Sequence, residues 1–154
     1  SSMISEAKKI LANARGKTNI IFPQDFICAK SMKHKKTSVS NSNEMASDLM
    51  GLDIGPKTIE EFSKTIFDSG TVLWNGPMGV FEIEGFHHGT QKIAKTIGEV
   101  TKNGSTSIVG GGDSAAAIKK FEMANNFSHI STRGGASLSL LSGNIMPAIY
   151  ALEL

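Results

Sequence analysis

Thr106-Ser107-Ile108-Val109-Gly110-Gly111-Gly112-Asp113-Ser114-Ala115-Ala116-Ala117-Ile118-Lys119-Lys120 is the stretch on which the fold turns. Its first residues include β-branched ones and are apolar enough for a short buried strand. Three glycines follow, then Asp-Ser, then good helix formers. Glycine permits a tight turn and a close approach of backbone to a ligand. The start of a helix leaves N–H groups unpaired and carries partial positive charge. Strand, glycine turn and helix start together favour a bound phosphate. Asp113 stands where a carboxylate can cap the helix or hold a metal carried by phosphate. The pattern is neither the dinucleotide G-x-G-x-x-G nor a Walker loop, because no Gly-Lys-Ser/Thr follows. A glycine turn of this kind also occurs without phosphate, with Asp113 or Ser114 as a helix cap only.

Working outward, the residues alternate between strand-like and helix-like runs. On the C-terminal side, Ser128-His129-Ile130-Ser131 reads as a strand. Thr132-Arg133-Gly134-Gly135 turns into a second glycine-started helix over 136–141, which Gly143 ends, and Pro147 begins an apolar tail. On the N-terminal side, Phe86, Thr90, Ile93, Ile97 and Val100 keep helical spacing over 86–102, with Gly104 past the end. Thr71-Val72-Leu73-Trp74 is a strand that breaks at Asn75-Gly76-Pro77-Met78-Gly79-Val80-Phe81-Glu82. Two glycines and a proline so close together specify a fixed loop. Gly51-Leu52-Asp53-Ile54-Gly55-Pro56 reads as a turn feeding a helix in which Ile59, Phe62 and Ile66 share a face. Residues 27–50, rich in Ser, Asn and Lys, read as an irregular or hairpin region with Val39 as its best strand position. Asn19-Ile20-Ile21-Phe22 reads as a buried strand ending at Pro23, and Met3, Ile4, Ala7, Ile10, Leu11 and Ala14 form one helical stripe closed by Gly16.

This alternation predicts right-handed crossovers and an α/β fold: a Rossmann-like parallel sheet with helices on both faces. In such sheets ligands sit beyond the carboxyl ends of the strands. The loops after strands 71–74, 106–109 and 128–131 all fall on that edge, which points to an anionic, phosphorylated ligand.

Composition agrees and excludes other classes. The chain of 154 residues suits one domain, and 40% hydrophobic with 19% charged residues marks a globular protein. A net charge of +2, with no basic run interleaved with aromatics, gives no reason to expect nucleic acid. Lys33-His34-Lys35-Lys36 reads as a solvated loop. The single cysteine, Cys28, forms no internal disulfide and fits a reducing, cytoplasmic setting, where it reads as a small buried residue. No apolar run reaches the ~18 residues of a membrane span, and no signal peptide is expected. Ser1-Ser2-Met3 does not read as a natural start. His87-His88 reads as a solvated helix end whose rings point apart rather than a metal site. His129 and Trp74 read as core residues, and the methionines as gap-fillers.

Four blocks carry a resemblance: Gly51–Pro56, Trp74–Glu82, Gly110–Ala117 and Ser128–Thr132. In order and spacing they closely resemble phosphoglycerate kinase, and the similarity runs from about residue 5 to residue 152. The resemblance implies a glycolytic phosphotransferase that moves a phosphoryl group reversibly between 1,3-bisphosphoglycerate and ADP, giving 3-phosphoglycerate and ATP, with Mg²⁺. The family has two lobes, and residues 1–154 resemble the later part of the C-terminal, nucleotide-binding one. Carried over by position, Gly51 and Leu52 would lie against adenine, with Asn75, Pro77 and Val80 along the nucleotide cleft. Glu82 would bond the ribose hydroxyls. Gly111, Gly112 and Ser114 would line the phosphate turn, and Asp113 would face the metal. Thr132, Gly134 and Gly135 would start the helix aimed at the transferred group.

The resemblance also implies what is absent: the glycerate-binding lobe and the early strands of the nucleotide lobe. The sheet is therefore expected to have a gap between 19–22 and 71–74, or 19–22 to pack differently. The isolated chain is expected to be inactive and prone to self-association, although the family is usually monomeric. The tail 142–154 would pack on the missing lobe. Arg133 departs from the family's glycine, and Gln24 before Asp25 is also unusual. The alternative is a diverged nucleotide-binding or regulatory module without transfer.

Overall fold

The computed structural model describes residues 2–34, 36–132 and 134–143. Arg133 and the tail 144–154 lie outside the described residues. The order is α1 (Ser2–Ala14), β1 (Asp25–Ala29), β2 (Ser38–Asn41), β3 (Met50–Ile54), α2 (Pro56–Phe67), β4 (Thr71–Asn75), α3 (His88–Lys102), β5 (Thr106–Gly110), α4 (Gly112–Lys120), a 3-10 turn (Ala124–Asn126), β6 (His129–Ser131) and α5 (Gly134–Leu141). No helix among the described residues is long and apolar enough to cross a membrane.

β4, β5 and β6 form a parallel three-stranded sheet with β5 in the middle. Helices follow each strand, and the fold is α/β, as the alternation predicts. Ile54, Trp74, Ile93, Ala94, Ile97, Val109 and Ile118 form the larger core cluster, with Ile59, Phe62 and Ile66 of α2 packed against it. The expected face of α3 is buried in full: Thr90, Ile93, Ile97 and Val100. α3 itself begins at His88, two residues later than the periodicity suggests, although Phe86 is buried in the second cluster with Ala29 and Leu52. Trp74 is a core residue whose ring stacks on Phe127, with centroids 6.4 Å apart.

Several expectations fail. Residues 19–22 form no buried strand, although the expectation that they pack differently holds: Ile20, Ile21 and Phe22 are exposed, and the parallel sheet ends at β4. The physical reason is a missing neighbour, since a buried strand needs a partner for its N–H and C=O groups. The Gly51–Ile54 stretch is a strand rather than a turn, because β3 lies beside β1 in a second, antiparallel sheet of order β2-β1-β3. Of the two readings of 27–50 the hairpin holds: the region supplies all of β2, residues 27–29 of β1 and the first residue of β3, with Val39 in a strand and paired to Ile27. These strands hide from a periodicity reading because they are only four or five residues long, and β2 is mostly Ser and Asn. His129 is exposed rather than in the core. The His87 and His88 rings do not point apart. Their centroids are 4.2 Å apart and the ring planes are tilted by 33°, with His87 the cap residue of α3. Four methionines (Met3, Met32, Met45 and Met50) are exposed, while Met78 and Met123 pack on the core.

Candidate nucleotide site

The carboxyl ends of β4, β5 and β6 put three turns in contact. Gly111 is the cap of α4 with φ 99°, a conformation open to glycine and strained for other residues. Its N–H donates to the Ser131 carbonyl at 3.0 Å, tying the turn after β5 to β6. Gly134, at the start of α5, lies on the same turn: a Cβ there would stand 2.6 Å from Gly111 Cα and 2.9 Å from the Gly110 carbonyl carbon. The Asn75 side chain lies over it from the β4 side, since a Cβ on Gly111 would come 3.1 Å from Asn75 Oδ1. The Gly76 N–H donates to Ser114 Oγ at 2.7 Å, so Ser114, buried in the first turn of α4, joins the β4 loop to the β5 turn.

Gly112 and Gly135 differ from Gly110, Gly111 and Gly134. Both are exposed, and a Cβ on either would meet open space. Packing does not require glycine at these two positions, so their backbones are free to be approached from outside. Asp113, in the first turn of α4, and Thr132 are exposed at the same rim. The opening amides of α4 and α5 have no acceptor inside their own helices.

The loop 75–82 is held along its whole length. Trp74 Nε1 donates to the Gly76 carbonyl at 2.7 Å. The amides of Met78 and Gly79 donate to Thr90 Oγ1 of α3 at 3.1 and 3.2 Å. The Val80 N–H donates to the Leu52 carbonyl at 2.8 Å, which seats Val80 beside the end of β3 and Gly51. Lys120 Nζ, at the end of α4, donates to the carbonyls of Phe81 at 2.8 Å and Glu82 at 3.0 Å. Glu82 is exposed beside a cleft it shares with Glu84, His87, Gln91, Lys120 and Phe121. Pro77 is half-buried in the same loop.

One buried carboxylate, Asp53, supports this arrangement from below, and a second, Asp25, caps α2 away from the loop. Asp53 Oδ2 accepts from the Gly89 N–H at 2.7 Å and Oδ1 from the Ile54 N–H at 2.9 Å. Burial pushes its pKa up to about 6, against the hydrogen bonds from Gly89 and Ile54 and the nearby His88. Asp25 plays a comparable part at α2, accepting from the N–H groups of Lys57 and Thr58 and from the Thr58 hydroxyl at 2.7 Å. Burial raises its pKa, but the bonds from Thr58 and Lys57 and the Lys57 charge outweigh that and hold it below the usual carboxylate value.

The expected site residues therefore fall into two groups. Asn75, Gly111, Gly112, Asp113, Ser114, Thr132, Gly134 and Gly135 gather at the strand ends. Leu52, Val80 and Glu82 gather at the far end of the loop, with Gly51 next to Leu52. α4 joins them: Asp113 stands at its start and Lys120 at its end, about 10 Å along the helix axis. Thr90, Lys120 and Asp53 were legible only as a helix-face residue, a helix-end cation and part of a turn. The hydrogen bonds of Thr90 and Lys120 to this loop, and the packing of Gly79 on Asp53, join residues more than ten positions apart. Among the described residues no three His, Cys, Asp or Glu converge to hold a metal ion by themselves. Asp113 is the expected carboxylate at this rim, exposed in the first turn of α4.

Comparison with known proteins gives one answer. The family model described as phosphoglycerate kinase matches residues 1–144. Phosphoglycerate kinase of Thermosipho africanus is 47% identical over 149 residues, covering 95% of this chain and 37% of the relative. That of Onion yellows phytoplasma is 48% identical over 147 residues, covering 95% and 36%. The solved structure of phosphoglycerate kinase from Coxiella burnetii superimposes with a TM-score of 0.89 at 37% identity, covering 97% of this chain and 38% of that one. The chain spans little more than a third of the length of the curated relatives it matches. On this evidence the chain belongs to the phosphoglycerate kinase family.

Proposed function

We propose that residues 1–154 are the later part of the C-terminal, nucleotide-binding lobe of a phosphoglycerate kinase. In the complete protein it takes part in reversible transfer of a phosphoryl group from 1,3-bisphosphoglycerate to ADP in glycolysis, in the cytoplasm. The observation that carries this reading is the gathering of the Asn75–Gly76, Gly110–Ser114 and Gly134 turns at one rim, joined through α4 to the loop bearing Glu82. Gly112, Gly135 and the helix-start amides would receive the phosphate oxygens. Asp113 would meet Mg²⁺, which supplies charge neutralisation at the phosphates when bound. Glu82 would accept from the ribose, with Leu52 and Val80 against the base.

Phosphoryl transfer demands positioning and charge stabilisation more than covalent help, and a rigid rim of amides supplies both. The glycerate would be bound by the other lobe, so the 154-residue chain alone is expected to have no transfer activity. Calorimetric titration with Mg-ADP tests the reading. Binding that is lost in Asp113→Ala supports it, and wild-type protein that takes up no Mg-ADP at millimolar concentration overturns it.

A second reading, a nucleotide-binding module without transfer, rests on Arg133, which stands where the family pattern has glycine. Its guanidinium would compete for phosphate. Arg133→Gly, assayed with the missing lobe supplied, separates the two: a large gain in turnover favours the module, and unchanged turnover removes the concern.

A further inference from the structure

The loop 75–82 rests on a buried group that the proposed chemistry does not use. Asp53 is 2% exposed, has no salt-bridge partner among the described residues, and accepts from the Gly89 and Ile54 amides. Both Gly79 of the loop and Gly89 of α3 pack directly on its carboxylate, so that a Cβ at either position would collide with Oδ1. Neither glycine has a positive φ. Close approach to Asp53, not backbone conformation, is what demands glycine at both. One carboxylate thereby sets the spacing of three elements: β3 through Ile54, α3 through Gly89 and the loop through Gly79. Thr90, one residue beyond Gly89, takes the amides of Met78 and Gly79, and the next loop amide, that of Val80, returns to Leu52 on β3. The circuit β3–α3–loop–β3 closes around Asp53. His88, at the start of α3, is the titratable neighbour that acts on it.

We propose that Asp53 is a positioning residue of the nucleotide site, whose carboxylate beneath Gly79 and Gly89 fixes where Val80 and Glu82 stand relative to the Gly110–Ser114 turn. The inference rests on the nucleotide reading above, but its structural half stands apart from it. Asp25 provides the control: it is also a buried carboxylate at a helix start, yet its bonds go to α2 and not to the loop.

Three proteins are compared as the full 154-residue chain: wild type, Asp53→Asn and Asp25→Asn. The amide variant keeps the shape of the carboxylate and turns a donor towards one of the backbone N–H groups. Two readouts are taken. Titration with Mg-ADP is expected to show at least tenfold weaker binding by folded Asp53→Asn and unchanged binding by folded Asp25→Asn. Hydrogen exchange is expected to show the Val80 amide opening at least tenfold faster in Asp53→Asn, relative to the core Val109 amide, with no such change in Asp25→Asn. Should Asp53→Asn fail to fold, Gly79→Ala reads the same contact from the loop side, with the same expected pair of effects. Wild-type affinity and unchanged Val80 exchange in the Asp53 or Gly79 variant overturn the proposal. So does equal weakening by Asp25→Asn, which would make the effect one of general stability. If wild type binds no Mg-ADP, the nucleotide reading fails, and the exchange comparison still decides whether Asp53 sets the loop.

Discussion

At the scale of single residues, the two buried aspartates give opposite responses to pH. Asp53 has a folded-state pKa of about 6, above the unfolded value of 3.8. The folded chain therefore binds the extra proton first, and the Asp53 contribution to stability grows as pH falls from about 7 towards 4. A gap of this size corresponds to about 3 kcal/mol. Asp25 is shifted the other way: its contribution is present above pH 3.8 and is lost as pH falls through its lower folded value. Urea unfolding of wild type and Asp53→Asn between pH 7 and 4 is expected to show wild type gaining on the variant as pH drops. A flat difference would refute the raised value.

The glycines divide in the same residue-by-residue way. Gly134→Ala forces a Cβ onto the backbone of Gly110 and Gly111 and is expected to cost about 2 kcal/mol or more, read as a lower urea midpoint. Gly112→Ala meets only open space inside α4 and is expected to hold or raise stability by about 0.5–1 kcal/mol. The same substitution is expected to weaken Mg-ADP binding, because the methyl group occupies the approach to the backbone. Stability and affinity moving together in Gly112→Ala would argue against a ligand at that face.

At the scale of elements, α4 is the link between the two halves of the site. Its first turn carries Ser114 and Asp113, and its last carries Lys120, whose ammonium holds the Phe81 and Glu82 carbonyls. Lys120→Met keeps most of the aliphatic stem and removes those bonds. The expected cost is modest, about 1 kcal/mol, but Mg-ADP affinity is expected to fall several-fold because Glu82 is released. An affinity equal to wild type by calorimetry would show that the loop needs no hold from α4. α1 is the contrasting element. Its stripe reads as clearly amphipathic, yet Met3, Ile4, Ile10 and Leu11 are exposed, from 41% to 85%. Helical spacing shows which face is apolar; it does not supply the surface that would cover it.

At the scale of the whole molecule, that uncovered stripe belongs with a second feature. The parallel sheet stops at β4, whose outer edge pairs with no strand among the described residues, and an apolar groove of about 310 Å³ lies beside it. Leu73, Trp74, Ile66 and Ile93 line the groove. An open strand edge next to apolar surface is a template for pairing with another chain. The isolated chain is expected to self-associate in sedimentation at tens of micromolar, and Leu73→Lys, at a half-exposed edge position, to shift it towards monomer. A wild-type chain that stays monomeric at those concentrations would show the edge to be protected.

The sequence by itself determined the local pieces: the helices α2, α3 and α4, the strands β4, β5 and β6, and the glycine turns at their ends. Each is encoded by periodicity and punctuation within about fifteen residues, and periodicity is a property of neighbours along the chain. It also sufficed for the family resemblance, because whole motifs survive in order. Only the tertiary structure decided that Asn19–Phe22 stays out of the sheet, that Gly51–Ile54 is a strand beside Asp25–Ala29, and that His87 and His88 face each other. It alone revealed that Asp53, Thr90 and Lys120 converge on one loop. The reason is the same in every case. A strand needs a partner, and a buried carboxylate or hydroxyl needs donors. Here those partners come from elsewhere in the chain, at distances that no local pattern encodes.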